Sequence, residues 1–112
     1  MPYQTGRMNH GWSVRPEGKA TLKDAPEKSI RRLYFDCILH FEPALRYLVE
    51  TFGADHVLLG SDYPFDMGMM DCVGQVRALS VSDDARNLIL GDAAASLLGE
   101  AQAPARRAAK GR

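Results

Sequence analysis

The sequence predicts an α/β fold, a βαβα unit, and three observations carry that expectation. Leu33-Tyr34-Phe35-Asp36-Cys37-Ile38-Leu39 is dense in aromatic and branched residues, as a strand requires. Leu45, Leu48, Val49 and Phe52 follow at i, i+3, i+4 and i+7, which places them on one stripe of a helix running from Ala44 to Phe52. Val57-Leu58-Leu59-Gly60 is then a short apolar run, suited to a strand buried on both faces of a parallel sheet. Strand, helix and strand in this order imply a parallel pair with a right-handed crossover.

Residues 1–29 show no sustained period, and Gly6, Gly11, Pro16, Gly18 and Pro26 interrupt them. An irregular segment is expected there, of a length that usually marks a functional loop, disorder or a missing context. His40 closes the first strand. Glu42 and Pro43 suit a first helical turn, where proline forfeits no hydrogen bond and a carboxylate meets the positive end of the dipole. Gly53 is a natural stop. After the second strand, a loop from Ser61 to Gly74 rich in Asp, Gly and Met leads toward a short helix around Val76 and Leu79. Ser82 reads as an N-cap with Asp83 and Asp84 in the first turn. The closing apolar sets are Ala85, Leu88 and Ile89, then Ala93, Ala94, Leu97 and Leu98; Gly91 and Asp92 break them apart and Gly99 ends them. Residues 100–112 form a Pro/Ala/basic tail that is expected to be disordered. Two parallel strands alone leave sheet edges unpaired, so the unit reads as part of something larger.

With 112 residues the chain has room for one small domain with a modest core. A net charge of zero removes the global basic field that would attract nucleic acid, and the basic tail is too short to replace it. No apolar stretch approaches the ~20 residues of a membrane span, and the first residues lack a signal-peptide core. Cys37 and Cys72 have no CxxC context, and Cys37 lies in an apolar run, so a reduced buried thiol is expected. A soluble, cytoplasmic setting without membrane or nucleic-acid partners follows as the expectation.

The chemistry concentrates on Gly60-Ser61-Asp62-Tyr63-Pro64-Phe65, where an apolar strand breaks into a loop carrying a carboxylate. Carboxyl ends of parallel strands are where α/β folds house chemistry. Asp62 is either a metal ligand or general base, or a turn-forming residue that caps nearby amides. A catalytic metal site needs at least three protein ligands, usually including His. His40 ends the first strand as Asp62 ends the second, so the two share a sheet edge; His56 precedes the second strand and belongs to the opposite rim. His10 lies in the irregular segment. No HxH or HExxH is present, so a complete metal site is not visible. Arg7 and Arg15 also lie in that segment, and a guanidinium fork grips carboxylates in bidentate fashion; as surface charges they would do nothing. Arg31 and Arg32 read as solvated. Trp12 reads as a packing anchor, and Met67, Met69 and Met70 as a pocket mouth or as packing.

YFDCILHFEPALRYLVETFGADHVLLGSDYPFDMG, followed by ILGDAAASLLG, resembles the C-terminal end of the amidohydrolase family. The likeness extends from about residue 2 to 99 and is nearest to the aminocarboxymuconate-semialdehyde decarboxylase-like group. GRMNHGWSVRP is similar to that group's segment after its catalytic HGGG-type histidine loop. The resemblance implies the C-terminal β/α units of a TIM-like (β/α)8 barrel, incomplete in this chain. It implies that Asp62 is the metal-associated aspartate of the final strand, holding a divalent metal, typically zinc, and assisting proton transfer. It further implies that Arg7 grips a small carboxylate substrate across a homodimer interface, with Arg15 as a second arginine of the same segment. Residues 1–29 would then be an active-site and dimer loop.

The departures carry equal weight. The HxH pair, the later metal histidine and the HGGG histidine of the family are absent from these residues; Asp92 stands where Asn is common, and Phe41 where Asp is common. A fragment, a truncated product or a misplaced start is therefore expected, inactive alone, whose parent activity is nonoxidative decarboxylation. A metal-dependent hydrolase of the same superfamily is the alternative, since strand-end carboxylates serve both reactions. A third reading is a non-catalytic module that self-associates through its half-exposed sheet.

Overall fold

A computed structural model describes residues 1–99, and the basic tail at 100–112 lies outside the described residues. Its center is a parallel pair of strands, β1 (Phe35–Asp36) and β2 (Val57–Leu58), in the register Phe35 to Val57 and Asp36 to Leu58. Helix α4 (Glu42–Phe52) connects them. It buries Leu45, Leu48, Val49 and Phe52, the stripe that its spacing predicts, and Pro43 stands in its first turn. Gly53 ends the helix at φ 93°, a left-handed conformation that glycine adopts without a side-chain clash, and its amide donates to the Val49 carbonyl at 2.8 Å.

Both strands are shorter than the apolar runs predict. The reason lies in the amides just beyond β1. Cys37 N still donates across to Leu58 O at 3.0 Å, but Ile38 N is taken by the Asp36 carboxylate at 2.8 Å. Leu39 N then turns back to Cys37 O at 2.9 Å, which bends the chain out of the sheet.

Residues 1–29 correct the expectation of an irregular segment. After a single turn of 3-10 helix at Pro2–Gln4, three helices follow: α1 (Thr5–Val14), α2 (Pro16–Thr21) and α3 (Pro26–Ile30). Prolines that read as interruptions are helix starts, with Pro16 and Pro26 in the first turns of α2 and α3, where the missing N–H has no helical partner to lose. Neither α1 nor α2 buries a residue, so no apolar period announces them. Long-range polar contacts hold them instead. Trp12 Nε1 donates to Leu22 O at 3.0 Å, Lys19 Nζ lies 5.5 Å from the Trp12 ring centroid, and a Cβ on Gly18 would meet Trp12 Cα at 3.3 Å. Trp12 thus anchors α2 on α1.

Asn9 supplies α3 with the cap that Ala25 lacks: its Oδ1 accepts from Glu27 N and its Nδ2 donates to Glu27 Oε2, both at 3.0 Å. The other carboxylate oxygen receives Arg31 Nε at 2.8 Å. These bonds, Arg31 first and Asn9 second, hold the Glu27 carboxyl below the ordinary glutamate range. A depressed carboxyl contributes stability above its unfolded value and loses it as pH falls through the folded value. The α1–α3 contact is therefore expected to loosen on acidification below the ordinary glutamate range, reported by the amide shift of residue 27, whose N–H donates to Asn9 Oδ1. Glu27→Gln should flatten that response; an identical titration in the variant would remove Glu27 as its origin.

The C-terminal elements close the core. Helix α5 (Cys72–Ala78) is capped by the Asp71 carboxylate on Gly74 N, and α6 (Asp83–Asn87) by Ser82 Oγ on Ala85 N at 3.2 Å. A wider π-type turn, Leu88–Asp92, follows, and Gly91 leaves helical geometry there before α7 (Ala93–Leu97). The predicted break is at that glycine. Leu45, Leu79, Ile89, Val57, Val76 and Cys37 are the largest fully buried side chains, so the core lies between α4, the strand pair and the α5–α7 segment. Among the described residues no helix is long and apolar enough to cross a membrane.

Candidate functional site

Asp62 stands in the loop that leaves β2, with φ at 57° and its side chain exposed. A left-handed conformation costs a non-glycine residue about 1–3 kcal/mol and tends to occur at functional sites; Asp tolerates it better than most. Gly60, two residues earlier, packs closely on the first strand: a Cβ there would lie 3.2 Å from Ile38 Cδ1, which would have to shift by a few tenths of an ångström. The loop is closed by its own backbone: Phe65 N donates to Asp62 O at 2.9 Å, Gly68 N to Phe65 O at 2.9 Å and Met69 N to Ser61 O at 2.7 Å. The Met67 and Met70 side chains project into solvent and leave the core untouched. His40, at the end of the β1 segment, is also left-handed, at φ 51°, and its Nε2 lies 2.7 Å from Met67 O. The strand-end histidine therefore reaches the loop that carries the strand-end carboxylate.

The other candidates separate into packing and surface roles. His56 Nδ1 lies 2.8 Å from Leu33 O, and its ring stacks on Tyr34 with centroids 4.8 Å apart, so it fastens the chain ahead of β1, away from the Asp62 loop. Cys37 is fully buried beside Gly60, and burial pushes its thiol up, which keeps it protonated and unreactive. Arg31 is occupied with Glu27 and with Thr51 O at 3.1 Å. Arg7 and Arg15 line one groove of about 660 Å³ on α1, together with Gln4, Met8, His10 and Gly11. Gln4 and His10 carry no sequence signal for that groove; only the helical spacing of α1 makes them neighbours of the arginines.

These residues do not by themselves fit a metal ion. Among the described residues no group of three or more His, Cys, Asp or Glu side chains converges. Asp62 is exposed, the Nε2 face of His40 is turned to a carbonyl, and His56 is engaged on the far side of the strand pair. One carboxylate falls short of the three protein ligands that a catalytic zinc requires.

Parallel strands with candidate residues at their carboxyl ends, joined by a helix packed on one face, are the repeating unit of parallel α/β enzymes, open sheets and barrels alike. A model of the amidohydrolase family matches residues 6–99, and the chain belongs to that family. Its fold is that of C-terminal β/α units of a TIM-like (β/α)8 barrel, incomplete in this chain. Among curated proteins it is similar to the 2-amino-3-carboxymuconate-6-semialdehyde decarboxylase of Caenorhabditis elegans, with 44% identity over 67% of this chain and 19% of the relative. The enzyme of that name from Dictyostelium discoideum is 32% identical over 88% of this chain and 28% of its own length. Among solved structures, 5-carboxyvanillate decarboxylase LigW from Sphingomonas paucimobilis matches with a TM-score of 0.70 and 25% identity, over 87% of this chain and 30% of that one. The chain thus spans less than a third of the length of each of these proteins.

Proposed function

We propose that this chain carries one corner of the active site of a metal-dependent, nonoxidative decarboxylase of a small carboxylic acid, and that it is inactive alone. The observation that carries this reading is Asp62, exposed and left-handed at the carboxyl end of a parallel strand, in a family member whose relatives are named as decarboxylases. Asp62 is its contribution to the site of a divalent metal, zinc in this proposal. Arg7 and Arg15 are its contribution to substrate binding: two guanidinium groups in one groove suit a carboxylate, and fixed charge orients it. A second groove, of about 390 Å³ and lined by Tyr3, Tyr34, Phe35, Leu39, Tyr47 and Leu48, supports self-association as a homodimer.

The purified chain tests the proposal. Light scattering is expected to give a mass above the 12.4 kDa of one chain. Dialysis after loading with zinc is expected to leave no stoichiometric metal, and incubation with 2-amino-3-carboxymuconate-6-semialdehyde no carbon dioxide above background. Retained zinc or turnover would overturn the claim that the chain is inactive alone. Exchanging the matched segment of the Dictyostelium discoideum decarboxylase, which covers 88% of this chain, for this chain's residues tests the reaction class. Decarboxylation that falls at least about a hundredfold with Asp62→Ala supports it, and hydrolysis without decarboxylation by that hybrid refutes it.

A further inference from the structure

We propose that His40 is the positioning residue of the Asp62 loop, a role that rests on the reading of Asp62 as an active-site carboxylate. Residues 61–70 are bonded mainly to one another, and their side chains at Tyr63, Phe65, Met67 and Met70 are exposed. Packing therefore does little to fix where this loop sits. Among the described residues, the hydrogen bond that joins it to the end of the first strand is His40 Nε2 to Met67 O, at 2.7 Å. A carbonyl only accepts, so Nε2 carries the proton and donates; Nδ1 of the neutral ring is left as an acceptor. The bond spans two residues that leave parallel strands in the left-handed conformation, His40 and, through Met67 and its loop, Asp62. It ties the carboxyl end of one strand to the loop that carries the carboxylate at the end of the other.

The role of the imidazole is separable from that of the backbone. Glycine accepts φ 51° without strain, so His40→Gly removes the ring and keeps the turn. Glutamine has an amide N–H that can donate to the same carbonyl, so His40→Gln should restore what glycine loses. The readout is amide hydrogen exchange at Phe65, Gly68 and Met69, whose N–H groups close the loop. Exchange there should accelerate about fivefold in His40→Gly and His40→Ala and return toward wild type in His40→Gln, with α4 unchanged. Imidazole nitrogen shifts should report the Nε2–H tautomer at neutral pH. Wild-type exchange in His40→Gly, no recovery in His40→Gln, or an Nδ1–H tautomer would each overturn the proposal. None of these measurements depends on zinc or turnover, so a failure here is distinguishable from a failure of the decarboxylase reading.

Discussion

Leu45→Ala is expected to destabilise the chain by about 3 kcal/mol. Leu45 is fully buried on the stripe of α4 that faces the strand pair, where Val57 and Cys37 are fully buried as well. Truncation removes three carbons' worth of apolar burial and leaves a cavity that the short β1 and β2 can collapse into only partly. A small domain has a narrow margin to absorb such a loss, so much of the variant should be unfolded at 37 °C. Urea denaturation followed by circular dichroism measures the change. Leu98→Ala is the control, since Leu98 is 75% exposed and its loss should fall within about 0.5 kcal/mol. Equal midpoints for the two variants would show that α4 does not hold the core.

Gly68→Ala is expected to displace the Asp62 loop. The new Cβ would lie 2.8 Å from Phe65 O and 2.9 Å from Ser61 O, separations that real Cβ atoms essentially never show. Both obstacles are backbone carbonyls that already accept bonds closing the loop, from Gly68 N and Met69 N, so neither can move without opening it. Overpacking of this kind costs about 1–3 kcal/mol. Because the loop side chains are exposed, the cost should appear locally: large amide shifts across 61–70 and lost protection at Met69, with α4 unperturbed. An alanine variant with wild-type shifts in that loop would contradict the clash.

How much of this was legible in the sequence varied with what stabilises each part. Helix α4 was legible because four apolar side chains at helical spacing face one core, and the Ser82 cap and the Gly91 break because local chemistry sets them. Helices α1 to α3 were not. Their cohesion comes from Asn9 with Glu27 and Trp12 with Leu22, polar pairs 18 and 10 residues apart that leave no period in the sequence. The strand ends were misjudged because a single carboxylate, Asp36, outcompetes the ladder for the next amide. At the candidate site, Asp62 was visible as a strand-end carboxylate and His40 as its neighbour on the sheet edge. The common groove of Arg7 and Arg15 was not, since eight residues amount to a little over two turns only once the segment is known to be helical.

The turn that ends β1 has a consequence for aggregation. A sheet edge is sticky in proportion to the row of free N–H and C=O groups that it offers to another chain. Past Asp36 the N–H groups of β1 are already engaged: Cys37 N on the neighbouring strand, Ile38 N on the Asp36 carboxylate and Leu39 N on Cys37 O. Among the described residues, the β1 side therefore offers few free amides beyond Asp36 to a second backbone. On that side of the pair, extension of the sheet by a second backbone is limited by the chain's own turn, and not by a charge or a proline placed on the edge.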